Sequence, residues 1–380
     1  MTDPLHVAIH VGQLIQPVPG GIGRYIRELI PALQTAGAEI STFAAGDSTG
    51  TLARDLPNFH DLGRPAGSLR YELWHRLRRP RLHIGADNDN DIDIVFAPSL
   101  AIPPSGTRPL VVTIHDVATL HYPQHFTKRG VRFHRRGLDL ARRHASAIIV
   151  PSNFVRAELT TLGFSPERVH AIPHGVRIDP APSDDTINSE LHGAGVDGPF
   201  VVFVGTLEPR KGVTTLIRAM RVARVAVPEL QLVIAGPRGW GSIDGVEDLE
   251  EPWIHELGHV DDTRLDALYR RAVLCALPSR YEGFGFPVIE AMARGCPVAV
   301  ANTTSLPETA AGAGLVIDVD DHEAWAEAIT RVTHETTFAE NLRSLGLARV
   351  RELTWSRTAA AHLDAFYAAY HDTFAERPRR

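Results

Sequence analysis

Two glutamates, Glu282 and Glu290, flank a Gly-Phe-Gly-Phe loop in the segment YEGFGFPVIEAMARGCPVAV (281–300). Pro287 is placed to open a helix, since proline is tolerated in the first helical turn. A glycine loop that leads into a helix N-terminus offers free backbone N–H groups and the positive end of the helix dipole to a phosphate. A carboxylate can accept hydrogen bonds from the vicinal hydroxyls of a ribose or a sugar. The segment predicts a sugar-nucleotide pocket; an ordinary helix start with two acids is the alternative.

A second loop carries two adjacent cations. In GTLEPRKG (205–212), Arg210 and Lys211 follow an apolar strand-like run and lead into a helix. Two cations in this place could clamp a diphosphate and stabilise it as a leaving group. The segment does not match the P-loop pattern G-x-x-x-x-G-K-[ST]. Ordinary surface charge is the alternative.

A third loop, PVPGGIGRY (17–25), follows the first apolar run and opens the first helix. Gly20, Gly21 and Gly23 allow the backbone to approach a phosphate closely. A dinucleotide fingerprint read from Gly21 needs glycine at position 26, where this chain has Ile26, so binding of NAD is excluded. A plain structural turn remains the alternative.

His115 and Asp116 come directly after the apolar run LVVTI. In open α/β sheets, ligands bind at the carboxyl ends of the strands. His115 could therefore hydrogen-bond a sugar hydroxyl, and a purely structural histidine is the alternative.

Two patterns resemble metal sites, but neither predicts one. His121 and His125 have the i,i+4 spacing of zinc ligands, yet Pro123 between them opposes a helix. The acidic run DNDNDID (87–93) offers no convergent ligand set, and we interpret it as a solvated loop. We therefore predict no metal site.

Composition indicates a globular protein of two domains. The chain has 380 residues, 44% of them apolar and 22% charged, and a single core rarely serves so many residues. No apolar run reaches the ~18 residues that cross a bilayer, and the N-terminal segment predicts a strand rather than a signal peptide. The two cysteines, Cys275 and Cys296, lie in apolar runs and predict buried, reduced thiols in a cytoplasmic protein.

Charge is distributed unevenly. Residues 1–175 hold 19 Lys and Arg against 15 Asp and Glu, whereas residues 176–380 hold 20 against 30. The basic excess lies mainly in residues 64–81 and 128–143. The segment LRYELWHRLRRPRL (69–82) mixes leucine, tryptophan and arginine, as in a helix that lies on an anionic membrane. An ordinary solvated helix is the alternative.

Strands and helices alternate in both halves. Apolar residues recur at helical spacing from Ile22 to Leu33, and continuous apolar runs such as SAIIVPS (146–152) suit a parallel sheet covered on both faces. Residues 177–199 are rich in Pro, Gly, Asp and Ser and predict a linker. The alternation restarts at FVVFVG (200–205). We therefore predict an α/β fold of two doubly wound, Rossmann-like domains that face a cleft.

The motifs together resemble retaining GT-B-fold glycosyltransferases of family 4, particularly their bacterial mannosyltransferase-like branch. In chain order they are PGGIGRY, DIDIVFAP, IHDVATLHYP, VPSNFVRAEL, IPHGV, VGTLEPRKG, LGHV and YEGFGFPVIEAMARGCPV. They span nearly the whole chain. Two positions depart from the pattern: Thr206 stands where many relatives carry arginine, and His174 stands where relatives often carry asparagine.

The resemblance implies three structural parts. Residues 1–177 would form the acceptor-binding domain, and residues 178–355 would form the nucleotide-sugar-binding domain. Residues 356–380 would form a helix that packs back on the N-terminal domain.

The resemblance also implies roles for the matched residues. Glu290 would bind the donor ribose, and Glu282 would bind hydroxyls of the transferred sugar, near His115. Arg210 and Lys211 would hold the diphosphate. The other implied donor contacts are Gly21 and Gly23 in the first domain, Gly283, Phe284 and Gly285 in the loop, and His259 and Val260 beside the nucleobase.

We therefore predict a retaining, metal-independent hexosyltransferase of polysaccharide biosynthesis, without a cofactor. It would move mannose from GDP-mannose to a glycan or lipid-linked acceptor, in the cytoplasm or at the inner face of the membrane, with no nucleic-acid partner. Transferases that use UDP- or dTDP-sugars, an epimerase and a phosphorylase of the same fold are alternatives. The phosphorylase would need a lysine for pyridoxal phosphate, and the chain has only Lys128 and Lys211. A catalytically silent nucleotide-sugar-binding partner is disfavoured because Glu282, Lys211 and His115 are present.

Overall fold

The chain folds into two compact units. The computed structural model describes all residues except 1–3, 17–18, 47–53, 64–66, 80–81, 83, 85–91, 240–248 and 375–380. Unit 1 comprises residues 1–120, 128–175 and 355–380, and unit 2 comprises residues 121–127 and 176–354. The acidic run at 87–93 lies largely outside the described residues.

A parallel sheet of seven strands forms the centre of unit 1, in the order β3-β2-β1-β4-β5-β6-β7. The strands are β1 (His6–His10), β2 (Glu39–Ala44), β3 (Phe59–Asp61), β4 (Ile94–Ala97), β5 (Leu110–Thr113), β6 (Ala147–Val150) and β7 (Val169–Ala171). Every residue of β4, β5 and β6 is buried. A sheet covered on both faces requires such continuous apolar strands, and the predicted doubly wound sheet is confirmed.

Helices cover this sheet. They are α1 (Gly20–Thr35), α2 (Gly67–Leu77), α3 (Ala118–His121), α4 (Lys128–His144), α5 (Asn153–Thr161) and, from the end of the chain, α13 (Trp355–Phe374). The apolar stripe predicted from Ile22 to Leu33 forms the buried face of α1.

A buried hydrogen-bond chain joins α13 to the rest of unit 1. His362 Nδ1 lies 2.7 Å from the Thr358 carbonyl oxygen, to which it donates, so His362 Nε2 acts as an acceptor. Tyr25 Oη donates to that Nε2 at 2.6 Å and lies 3.0 Å from Thr113 Oγ1. Tyr25 and His362 are both fully buried. The chain therefore fixes α13 to α1 and β5, because each buried polar group depends on its partner.

Three buried histidines make the stability of unit 1 sensitive to acid. Burial is the main cause that lowers the pKa of His10 to about 3 and the pKa values of His75 and His362 to about 4. The ordinary value is about 6.5. The unfolded chain therefore takes up protons first as the pH falls. The contribution of the three neutral histidines to the free energy of unfolding is complete above pH 6.5 and is lost as the pH falls towards 4.

We expect the free energy of unfolding, measured with urea at pH 7, 6 and 5, to fall with the pH. Each histidine adds a slope of up to about 1.4 kcal/mol per pH unit. His362→Gln keeps a hydrogen-bonding side chain but cannot titrate, so its slope should be smaller. Equal slopes for the variant and the parent would contradict the assignment.

A second parallel sheet, of six strands in the order β10-β9-β8-β11-β12-β13, forms the centre of unit 2. Its strands are β8 (Phe200–Val204), β9 (Gln231–Ala235), β10 (Ile254–Gly258), β11 (Leu274–Leu277), β12 (Val298–Ala301) and β13 (Leu315–Ile317). Its helices are α6 (Asp184–Gly193), α7 (Val213–Ala226), α8 (Asp262–Arg271), α9 (Phe286–Ala293), α10 (Leu306–Ala310), α11 (His322–His334) and α12 (Thr336–Val350). Cys275 and Cys296 are buried and unpaired, as predicted.

The predicted linker at 177–199 is wrong in its centre, which forms α6. Ser183 Oγ caps this helix by accepting the Thr186 N–H at 3.2 Å. Ile187 and Leu191, four residues apart, are buried. The polar composition concealed a short amphipathic helix, because Ser183 is a helix N-cap rather than part of a loop.

Residues 121–127 belong to unit 2, although the predicted boundary placed them in the N-terminal domain. The ring of His121 lies 5.3 Å from the ring of Tyr281, and the ring of Tyr122 lies 6.1 Å from it.

Among the described helices, none is both long and apolar enough to span a bilayer.

Candidate active site

The candidate site of unit 2 lies where the strand order of the sheet reverses. β8 pairs with β9 on one side and with β11 on the other, so the chain moves outwards in opposite directions from these two strands. Such a switch point leaves a crevice at the carboxyl ends of the strands. The cationic loop (205–212) follows β8, and the loop that contains Glu282 follows β11.

Glycine allows these two loops to approach each other. Gly212 has φ 70°, and a Cβ added there would lie 1.9 Å from the Pro278 carbonyl oxygen. Any other residue would push the two loops apart. The Arg280 N–H also donates to the Arg210 carbonyl at 2.7 Å.

The cations and acids of the two loops form a buried ion cluster. Lys211 Nζ lies 2.5 Å from Glu282 Oε1, and Arg210 Nη1 lies 3.8 Å from Glu282 Oε2. Arg210 Nε donates to Glu208 Oε2 at 2.8 Å. Ser279 Oγ donates to Glu282 Oε1 at 2.9 Å. The four charged side chains are only 11–14% exposed, so their charges are weakly screened.

The cluster keeps Glu282 ionised. Burial alone would raise the pKa of this carboxyl. The charges of Lys211 and Arg210, with hydrogen bonds from Lys211 and Ser279, instead hold the pKa below its ordinary value. Glu282 is therefore a hydrogen-bond acceptor at neutral pH.

Hydroxyl side chains that follow β12 fix the backbone of the Glu282 loop. Thr304 Oγ1 accepts the Glu282 N–H at 3.0 Å, and Ser305 Oγ donates to the Glu282 carbonyl at 2.8 Å. Thr309 Oγ1 donates to the Phe284 carbonyl at 2.6 Å. Sequence reasoning missed these supports; the Thr-Thr-Ser run (303–305), one residue after the apolar run PVAVA, was the available signal for the first two.

The predicted glycine loop and helix start are present. Gly285 has φ 96° and caps α9, and Pro287 lies in the first turn. The positive φ favours glycine, and a Cβ on Gly285 would lie 2.8 Å from Leu306 Cδ2, so the Leu306 side chain would have to move. Gly283 and Phe284 immediately precede this helix N-terminus.

Glu290 lies on α9 and is 5% exposed. Tyr269 Oη, from α8, donates to Glu290 Oε2 at 3.1 Å. Sequence reasoning did not identify Tyr269, because a single tyrosine in a helix carries no motif.

His259 and Val260 follow β10 and precede α8. His259 is exposed and Val260 is half-buried. Asp261 caps α8 by accepting the Arg264 N–H at 2.8 Å. Unit 2 thus presents His259, Val260 and the ion cluster at the same edge of its sheet, because all its strands are parallel.

The other predicted site residues belong to unit 1. Gly21 lies in the first turn of α1 and is exposed. Gly23 packs on Pro19: a Cβ would lie 2.2 Å from the Pro19 Cβ. His115 Nε2 donates to the Pro98 carbonyl at 2.9 Å, and burial is the main cause that lowers its pKa. The phosphate-binding roles of Gly21 and Gly23 and the sugar-binding role of His115 stay predictions.

Comparison with known proteins defines the class. The model "Glycosyltransferase Family 4" matches residues 19–180, and the model "Glycosyl transferases group 1" matches residues 184–346. The O-antigen chain mannosyltransferase B of Escherichia coli is 30% identical over 370 residues, which cover 91% of this chain and 95% of the relative.

Solved structures share the fold. Sucrose-phosphate synthase from Thermosynechococcus elongatus matches 98% of this chain and 99% of its own, with a TM-score of 0.72 and 23% identity. The Anabaena protein HepE in complex with UDP and glucose matches 96% of this chain and 100% of its own, with a TM-score of 0.71 and 21% identity.

The fold and site define a GT-B glycosyltransferase that acts on nucleotide sugars, and the predicted fold class is confirmed. The chain belongs to glycosyltransferase family 4, as its motifs indicated, within the mannosyltransferase-like branch.

Proposed function

We propose that the chain transfers mannose from GDP-mannose to a glycan or lipid-linked acceptor, with retention of the anomeric configuration. The observation that carries this proposal is the buried cluster of Lys211, Arg210 and Glu282 beside the start of α9. It combines cations for a diphosphate with a carboxylate for sugar hydroxyls. The mannosyltransferase relative from Escherichia coli supports mannose as the sugar and a glycan as the acceptor.

Each part of the cluster has a role in this proposal. Lys211 and Arg210 neutralise the diphosphate, and the backbone amides after Gly283 bind its oxygens at the helix N-terminus. Glu282 accepts hydrogen bonds from the transferred sugar, and Glu290 accepts them from the ribose. The other proposed donor contacts are Gly21, Gly23, His259, Val260, Phe284, Gly285 and the neutral imidazole of His115.

A panel of GDP-, UDP- and dTDP-sugars tests the donor. A ligand that binds the folded protein raises the unfolding temperature by mass action, and we expect the largest rise with GDP-mannose. UDP is the alternative, supported by the UDP complex of the Anabaena protein. A rise with UDP-glucose alone would overturn the choice of GDP-mannose. Binding of a donor without transfer to any acceptor would favour the catalytically silent partner.

Retention can arise by two displacements or by attack on the face from which the diphosphate leaves. Two displacements need a nucleophile. Asp116 is the candidate, but its Oδ1 accepts the Ala118 N–H at 2.9 Å. We favour same-face attack, in which the bond from the anomeric carbon to the diphosphate breaks and the acceptor oxygen bonds to that carbon. The departing diphosphate takes the acceptor's proton. A β-linked product by NMR from an α-linked donor, or a glycosyl ester on Asp116, would contradict this route.

Transfer should not need a divalent metal. Lys211, Arg210 and the helix N-terminus supply the positive charge that a metal would otherwise provide. Within the described ranges, no group of three or more His, Cys, Asp or Glu side chains is arranged to hold an ion. We expect transfer rates to be unchanged by EDTA. Activity abolished by EDTA and restored by Mn²⁺ would contradict this and direct attention to the acidic run at 87–93.

Unit 1 carries the proposed contact with an anionic membrane. Leu69 and Leu77 on α2 are 57% and 62% exposed, and Arg76 and Arg79 beside them are also exposed. Arg78 instead donates to the Pro103 carbonyl at 2.9 Å, so it supports the fold. Exposed leucines next to arginines suit the surface of an anionic bilayer.

Charge reversal tests this contact. Because each basic residue near such a surface contributes about 1 kcal/mol, the double variant Arg76→Glu/Arg79→Glu should bind phosphatidylglycerol vesicles at least about tenfold more weakly in sedimentation. The matched control is Arg218→Glu/Arg351→Glu on unit 2, where both arginines are exposed. If both double variants lose vesicle binding equally, the binding depends on the total charge of the protein, and the proposed contact through α2 is contradicted.

A further inference from the structure

Tyr269 and Glu290 form a buried contact between neighbouring helices of unit 2. The Tyr269 hydroxyl donates to Glu290 Oε2 at 3.1 Å. Tyr269 is 1% exposed and Glu290 is 5% exposed. A buried carboxyl oxygen needs hydrogen-bond partners, and this phenol supplies one of them.

The two helices hold the pair in different ways. Glu290 lies one turn after the start of α9, whose first turn is fixed by Gly285 and Pro287. Tyr269 lies near the end of α8, and its neighbours Ala267 and Leu268 are also buried. A glutamate side chain has three rotatable torsions, whereas the position of a packed tyrosine hydroxyl is set by two. The tyrosine is therefore the rigid partner.

We propose that Tyr269 is a positioning residue that orients the Glu290 carboxylate towards the ribose hydroxyls of the donor nucleotide. This inference rests on the proposed function, which assigns Glu290 to the ribose. A carboxylate has about four lone-pair sites, so one hydrogen bond from Tyr269 sets its orientation without exhausting its capacity to accept others. Tyr269 acts through Glu290 and does not touch the nucleotide.

The test compares the affinities for GDP and 2′,3′-dideoxy-GDP, which lacks both ribose hydroxyls, by calorimetry. Tyr269→Phe removes only the hydroxyl. We expect its preference for GDP over 2′,3′-dideoxy-GDP to fall about 3- to 10-fold, while its affinity for 2′,3′-dideoxy-GDP changes less than about twofold. Both ligands are measured on the same preparation, so a partly unfolded sample lowers the stoichiometry for both and leaves the ratio of affinities interpretable.

Leu268→Val is the matched structural control. It loosens the packing of α8 without removing the hydroxyl, so it should weaken both nucleotides equally or neither. If Leu268→Val lowers the ratio as much as Tyr269→Phe does, the effect is general packing and the proposal is overturned.

Glu290→Gln separates this inference from the proposed function. A Glu290→Gln protein that keeps the full preference for GDP would refute the ribose assignment itself. A preference lost in Glu290→Gln but retained in Tyr269→Phe would refute the role of Tyr269 alone. If both assignments hold, the double variant loses no more of the preference than Glu290→Gln does, because both changes remove the same interaction.

Discussion

Replacing Glu282 with glutamine should lower the rate of transfer about 10- to 100-fold without weakening the affinity for GDP. The carboxylate is ionised and held by Lys211, Arg210 and Ser279, and we assign its remaining acceptor capacity to the transferred sugar. Loss of a charge-assisted hydrogen bond costs about 1.5–3 kcal/mol, and this increase in the activation free energy corresponds to the expected fall in rate. In the proposed site, Glu282 contacts the sugar and not the nucleotide, so the affinity for GDP should be unchanged.

Transfer kinetics and calorimetry with GDP check this expectation together. Glu323→Gln, an exposed acid on α11, is the control for loss of one negative charge and should leave both quantities unchanged. A Glu282→Gln protein whose GDP affinity fell as far as its rate would place Glu282 at the nucleotide or in the fold, and would remove it from the sugar.

Replacing Lys211 with methionine should have the largest effect, a fall of about 100- to 1000-fold in the rate of transfer. Removal of one preorganised donor to a developing charge typically has this effect. The Lys211 ammonium contacts the Glu282 carboxylate, whereas Arg210 is also bonded to Glu208 and to the Tyr281 carbonyl. Lys211 is therefore the cation whose loss disturbs the loop least, and Thr206 supplies no positive charge in its place.

Single-turnover kinetics of Lys211→Met with the donor chosen from the thermal-shift panel provide the measurement. Arg280→Met is the matched control, because Arg280 follows β11 in the same unit but pairs with Asp320 on the surface. Its rate should stay within about twofold of the parent. A rate within about fivefold of the parent for Lys211→Met would show that the diphosphate departs without this lysine.

Periodicity and local motifs predicted the elements that position the site. The stripe from Ile22 to Leu33 formed α1, because a spacing of three and four residues matches the turn of a helix. The continuous apolar runs formed parallel strands. In the site itself, Gly285 and Pro287 predicted the start of α9, because both residue types have strong backbone preferences that hold in any surroundings.

Sequence reasoning failed where one residue depends on another that is distant in the chain. Tyr269 meets Glu290 across two helices, and Tyr25 meets His362 across 337 positions; neither pair has a spacing that a pattern could detect. The segment at 121–127 joins unit 2 although both of its chain neighbours lie in unit 1. At α6, the polar composition of residues 177–199 led to the prediction of a linker. The capping residue Ser183 and the spacing of the aliphatic residues Ile187 and Leu191 indicated a helix instead.

The position of α13 affects the order of events during synthesis. The ribosome makes most of unit 1 first and the main part of unit 2 next, and it releases residues 355–374 only after both. Domains generally fold as units in the order of synthesis, but Tyr25 has no His362 to bind until α13 has emerged. Part of the core of unit 1 therefore stays uncovered until α13 is made, whereas all residues of unit 2 have been synthesised by then. A chain truncated after residue 354 should expose apolar surface in unit 1, whereas unit 2 keeps all of its residues.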